Sequence, residues 1–184
     1  MFPAFPKSLR IPVSNLLAGF ALAVSVALPT NAQTLADIQD LMQQGNLGRA
    51  LEQADRYIAA QPKDAQGPFA KGLILTSMGR ATEAIAVFTE LTENFPELPE
   101  PHNNLAALYA GQKQYDRARI ALEMAIRVDP DYAMAHENLG DIYAKLASQS
   151  YARAARLDAS GTTAPAKLRL AQELVDLSAQ PARQ

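Results

Sequence analysis

The stretch His102–Tyr109, HNNLAALY, returns 34 residues later as His136–Tyr143, HENLGDIY. The two copies share His, Asn, Leu and Tyr at matching places. The slot after the shared Leu holds Ala106 in one and Gly140 in the other. The same interval separates Pro62, Pro96 and Pro130, and again Ala50, Ala84 and Ala118. It joins Gly45 to Gly79, with Lys113 in the third place. Several independent slots at one period mark an array of repeated helix pairs, in which a single pair cannot bury its apolar face and stacked neighbours can.

Within a unit, small residues such as Gly72, Ala106, Ala118 and Gly140 stand where two helices approach closely, since a larger side chain would hold them apart. Phe88, Tyr109 and Leu122 fill the space between. Each proline ends a second helix, because it lacks an N–H and clashes with the preceding turn.

These residues resemble the tetratricopeptide repeat (TPR), whose pattern is W-x2-L-G-x2-Y…A-x3-F…P. The third unit carries His102-x2-Leu105-Ala106-x2-Tyr109, then Ala118-x3-Leu122 and Pro130. The fourth opens with His136-x2-Leu139-Gly140-x2-Tyr143. The second carries Gly72, Leu75, Ala84, Phe88 and Pro96, and the first Ile38, Leu41, Ala50, Tyr57 and Pro62. The resemblance implies an all-α, short right-handed solenoid of antiparallel helix pairs. Its units are expected at 33–64, 65–98, 99–132 and 133–159, with a C-terminal capping helix at 160–178 and a disordered tail at 179–184.

The two histidines, the only ones in the chain, fall in the slot of the pattern's tryptophan. Stacked helices hold equivalent positions about 8–10 Å apart. A shared zinc needs both nitrogens within about 2.1 Å of it. They are read as packing residues.

The fourth unit departs from the period. Thirteen residues separate Tyr109 from Leu122, but only eight separate Tyr143 from Tyr151, the apparent counterpart. No Gly interrupts Lys145–Asp158. Either the second helix is shortened or the two helices run on with a bend. After it, SGTTAP reads as a loop, with Thr163 as N-cap and Pro165 in the first turn. Leu168, Ala171, Leu174, Val175 and Leu177 or Ser178 then form an apolar stripe. It is expected to cover the last face of the solenoid, with a partner-docking helix as the rival reading.

The first 32 residues have the build of a secretory signal peptide: Lys7 and Arg10, an uncharged run Leu16–Leu28, then Thr30 and Ala32 as small residues. As a helix the run is about 20 Å long, short of a bilayer core of about 30 Å. Cleavage is expected after Ala32, with an uncleaved anchor as the alternative. The signal has a bacterial look, so the expected location is periplasmic, with no stable membrane span after cleavage. The compressed fourth unit and the cap resemble small secreted proteobacterial TPR proteins.

The 184 residues are 48% hydrophobic and 20% charged, with net charge −2 and no cysteine. No disulfide or thiolate metal site is therefore available. There is no G-x-S-x-G elbow, no H-E-x-x-H and no Gly-rich phosphate loop. Glu137 and Asp141 share a helix face, Glu90, Glu93 and Glu97 form a surface acidic run, and such groups are normally solvated. Arg117, Arg119, Arg127, Arg153 and Arg156 lack interleaved aromatics, so no nucleic-acid partner is expected. The reading is non-enzymatic, with no catalytic residue, metal or cofactor.

The resemblance implies a concave groove lined by the first helices, holding a protein or peptide partner. Helical spacing then names its lining: Phe69, Leu73 and Thr76; Asn103, Ala107 and Ala110; Glu137, Asp141 and Lys145. The amides of Asn104 and Asn138 are expected to bond either a peptide backbone or a neighbouring helix. Lys145 stands against Glu100, Glu137 and Asp141, which speaks against a clamp for a C-terminal carboxylate. A neutral or mildly basic extended segment, or a helix with an apolar stripe near Phe69 and Leu73, fits better. The expected function is an adaptor for a cell-envelope partner. The alternatives are a structural spacer docking by its edges or convex face, and a chaperone-like holder of exported chains.

Overall fold

A computed structural model describes residues 34–158 and 160–178. The expected signal peptide, its cut after Ala32 and the tail at 179–184 lie outside the described residues. Within them the chain forms α1 (Leu35–Gln43), α2 (Leu47–Ala60), α3 (Gln66–Ser77) and α4 (Ala81–Asn94). These are followed by α5 (Pro99–Gly111), α6 (Tyr115–Val128), α7 (Ala133–Leu157) and α8 (Thr163–Ser178). No strand occurs among the described residues, and each helix packs on the next.

The 34-residue period is visible in the backbone itself. The reversals inside the first three pairs are made by Gly45, Gly79 and Lys113, at φ 72°, 73° and 61°. In each, the residue after the left-handed one donates to a carbonyl five back: Asn46 to Leu41 (2.8 Å), Arg80 to Leu75 (2.9 Å), Gln114 to Tyr109 (2.9 Å). This is the Schellman closure, which satisfies carbonyls left over at a helix end. Helices α2, α4 and α6 stop at residues 60, 94 and 128, each two residues before a proline. At the other end of the first unit, Thr34 caps α1. Its hydroxyl accepts from the Asp37 N–H (3.2 Å), and the Asp37 carboxylate accepts from the Thr34 N–H (2.9 Å).

The core lies between the paired helices. One cluster joins Ile38, Ala50, Ala54, Tyr57 and Ile74, and the larger one runs from Leu75 through Phe88, Leu105, Tyr109 and Leu122 to Ile142. Phe88 is fully buried, worth roughly 1.5–3 kcal/mol of transfer free energy. It rests on Gly72 so closely that a Cβ there would lie 2.5 Å from its Cζ. That is the close approach expected of the small slot.

Of the two courses open to the fourth unit, the chain runs on: α7 is one helix of 25 residues. The position that turns the chain in the first three units is Ala147 in the fourth. Alanine favours the right-handed helix and gains nothing from the left-handed conformation that the reversal needs. One expectation fails as a result. Nothing lies within 4 Å of a Cβ built on Gly140, and Tyr143 is 49% exposed. The helix that would have packed there has been carried away along α7.

Helix α8 instead packs on α7. Its inward stripe, Ala164-x3-Leu168-x2-Ala171, repeats the spacing Ala118-x3-Leu122-x2-Ala125 of α6. Leu168 shares a crevice with Ala152 and Ala155 of α7, and the Lys167 ammonium stands 5.8 Å from the Tyr151 ring centroid. Tyr151 is thus part of the receiving helix and not the counterpart of Leu122. The expected capping stripe is corrected too: Ala171 is buried and Leu168 and Val175 are half-buried, but Leu174 and Leu177 point to solvent. A 100° step per residue places those two about a third of a turn round α8 from the inward stripe, beside Leu170.

Candidate functional site

The candidate groove is the face of α3, α5 and α7 that the second helices do not cover. Three residues at one 34-residue register mark it: Leu73 half-buried, Ala107 exposed and Asp141 half-buried. At the α3 end the face is apolar. Phe69 is half-buried and meets Phe88 edge-on, with ring centroids 5.8 Å apart. Leu73 packs against the same cluster. The Thr76 hydroxyl donates to the Gly72 carbonyl at 2.8 Å, so it is occupied within its own helix.

The middle of the face is tied together. Asn103 is only 4% exposed. Its Oδ1 accepts from Asn138 Nδ2 at 2.8 Å, and its own Nδ2 approaches the Met134 sulfur at 3.6 Å. Of the two outcomes expected for Asn138, the bond to a neighbouring helix is the one formed. Asn104 donates to the Glu100 carbonyl at 2.8 Å, one turn back in α5, so its amide is engaged within its own helix and not with a neighbouring one.

The α7 end is acidic. Glu137 is exposed, while Asp141 and Lys145 are half-buried. Burial holds the Asp141 carboxyl above the usual carboxylate range; Lys145 pulls it down and Glu137 pushes it up. Three ion pairs occur among the described residues, Lys71–Asp55, Arg80–Glu83 and Arg119–Glu123, and none involves this face's Lys145.

The histidines play different parts. His136 is exposed, and its Nε2 lies 2.9 Å from the Pro130 carbonyl, which accepts a hydrogen bond from it and ties α7 to the turn before it. His102 is half-buried, and burial lowers its pKa. Among the described residues no group of three or more His, Cys, Asp or Glu is placed to hold a metal ion, and no helix is long and apolar enough to cross a membrane.

Sequence reasoning allowed Asn138 a bond to a neighbouring helix but placed Asn103 in the groove lining and did not name it as the partner. The signal was present, since the two asparagines lie 35 residues apart, one period and one step, on adjacent first helices.

Two family models, both described as tetratricopeptide repeat, match residues 35–99 and 75–142. The chain is a tetratricopeptide-repeat protein. Its TPR region is 30% identical over 95 residues to the TPR repeat-containing thioredoxin TTL4 of Arabidopsis thaliana. That match takes in 52% of this chain and 14% of the plant protein. Among solved TPR structures, it resembles the Yersinia enterocolitica type III secretion chaperone SycD in complex with a peptide of the translocator YopD. The TM-score is 0.58 at 15% identity, covering 66% of this chain and 98% of that one. It also resembles the second TPR domain of human RPAP3 in complex with HSP70 peptide SGPTIEEVD. There the TM-score is 0.54 at 18% identity, covering 59% and 90%. At these identities the likeness speaks for the TPR fold alone.

Proposed function

We propose that this TPR protein is a non-enzymatic adaptor that holds a segment of a protein partner along the face of α3, α5 and α7, in the bacterial periplasm. One observation carries the reading. The face is graded from apolar, at Phe69 and Leu73, through exposed Ala107, to acidic, at Glu137 and Asp141. Two of the structural relatives hold peptides. The location rests on the basic start, the 13-residue apolar run and the small residues before the expected cut after Ala32.

The same gradient argues for the chemistry of the partner. The RPAP3 peptide ends in acidic residues. Here Glu100, Glu137 and Asp141 would repel such an end, with Lys145 alone against them. A segment with a Lys or Arg at one end and an apolar side chain roughly two helix spacings away suits this face.

Fluorescence anisotropy with two sets of labelled peptides tests the reading. One set is basic with a single aromatic or leucine; the other ends in EEVD. Binding of the first set, weakened by Ala107→Arg and unchanged by Arg127→Ala, is the expected result. Equal binding of both sets, or indifference to Ala107→Arg, would sink it.

A further inference from the structure

In the second pair, the second helix lies on its first helix at a small residue, Phe88 of α4 on Gly72 of α3. Helix α7 carries the same receiving sequence, Leu139-Gly140-x2-Tyr143, yet among the described residues nothing has been laid on it at Gly140. Tyr143 is 49% exposed where its counterpart Tyr109 is 8% exposed, and the space over Gly140 is open. Among the described residues every second helix is already in use: α2, α4 and α6 on α1, α3 and α5, and α8 on α7.

Helix α8 also has a second apolar face. Leu170, Leu174 and Leu177 are 60%, 57% and 62% exposed. Their spacing, i, i+4 and i+7, is that of Ala84, Phe88 and Leu91, the stripe by which α4 packs on α3. Leu174 has the place of Phe88, the residue that rests on the glycine.

We propose that this chain pairs with a second copy of itself, the α8 leucine row of one copy seated in the empty helix slot around Gly140 and Tyr143 of the other. The occupant is a second copy because both unmatched surfaces belong to one chain and one end of it. Of the seven exposed large hydrophobic side chains among the described residues, all but Met78 lie on α6, α7 and α8. The chain turns back after Leu157, and with Lys167 beside Tyr151 and Leu168 beside Ala152 and Ala155, antiparallel packing places Leu174 about level with Ala144, next to Tyr143. A two-fold axis lets each copy donate a row and receive one, which doubles the contact. A single three-leucine contact falls short of the roughly 1,200–2,000 Å² of a stable interface, so the reciprocal form is the one that holds. Charge permits it. The Arg119–Glu123 pair stands beside Tyr143 on α6, and Lys167 and Glu173 flank the row, so both signs are present on each side.

The chain has no cysteine, so single replacements report cleanly. The experiment combines sedimentation of the natural chain across the micromolar range with oxidative crosslinking of an equimolar mixture of Gly140→Cys and Leu174→Cys chains. Both sites are exposed, so the fold is not expected to suffer, and circular dichroism checks this. The expected result is a concentration-dependent dimer, abolished by Gly140→Leu and by Leu174→Glu, with a disulfide joining position 140 to position 174. A chain that stays monomeric throughout would overturn the proposal and leave the row to another partner. A dimer that links 174 to 174 but never 140 to 174 would overturn it as well.

Discussion

Asn138 of α7 donates a 2.8 Å hydrogen bond to the buried Oδ1 of Asn103 on α5. Two residues that face the groove by their helical position are therefore engaged with each other. The bond joins consecutive first helices, so it sets the spacing of the groove floor at its centre. A partner is left to contact Ala107, the flanking apolar and acidic side chains, and the amide oxygen of half-buried Asn138.

Removing Asn138 strands a buried carbonyl. Asn138→Ala is expected to destabilise the fold by about 1–3 kcal/mol, the desolvation cost of an unpaired buried polar group. The double variant Asn103→Leu with Asn138→Ala is expected to be less damaged than the sum of the singles. Urea unfolding of the cycle measures this; simple additivity would mean that the bond carries no net coupling.

The two glycines of the small slot are expected to behave oppositely. Gly72→Ala drives a methyl to within 2.5 Å of Phe88, an overpacking that costs roughly 1–3 kcal/mol. Gly140→Ala meets nothing within 4 Å and is expected to stabilise α7 by up to about 1 kcal/mol through helix propensity. Thermal unfolding in dilute solution separates them, and equal effects would refute the empty-slot geometry.

Lys113 holds φ at 61° where the first two units use glycine. Lys113→Gly relieves a left-handed conformation that L side chains disfavour. The expected gain is up to about 1 kcal/mol, net of the greater entropy that glycine has to lose. A loss of stability on chemical denaturation would show that the Lys113 side chain has a role that its backbone does not reveal.

Two titrations are expected to be visible. Tyr57 donates to Asp64, and this bond, followed by burial, pushes the phenol up to about 12. The folded value lies above the unfolded one, so the stability it contributes is complete below the ordinary tyrosine range and is lost as pH rises towards about 12. Asp64→Ala should return the phenol towards its ordinary value in an ultraviolet titration.

Asp141 works in the other direction on binding. Its carboxyl titrates above the usual range in the free chain, and a basic partner group would favour its ionised form. Affinity for basic peptides is therefore expected to fall as pH drops through that raised pKa. Asp141→Asn should flatten the profile, and an unaltered pH dependence in that variant would remove Asp141 from the contact.

Much of the fold was legible because a repeat prints its constraints several times over. Pro62, Pro96 and Pro130, with Gly45, Gly79 and Lys113, gave the ends and reversals of the helices, since backbone requirements there admit few residues. What one copy carried alone was harder to read. Gly140 matched the pattern and still faces open space, because a small slot reports a close approach only if the approaching helix exists. The chain runs straight on at Ala147, where the other units reverse, and five residues of the usual turn region are missing, so that helix is carried away from Gly140. The outward turn of Leu174 and Leu177 was likewise hidden, because α8 has apolar residues on two faces and the sequence does not say which one packs. At the site, spacing placed the lining residues on their helices, whereas the Asn103–Asn138 bond depended on how two helices lie against each other.

The claim that most needs testing is that the face of α3, α5 and α7 holds the partner. Ala107 on that face and Arg127 on α6 are both exposed, so photoreactive residues at positions 107 and 127 sample two surfaces under equal access. In intact cells, a discrete periplasmic adduct from position 107 and none from 127 is the result expected. An adduct from 127 with none from 107 would contradict the account and move the function to the opposite face.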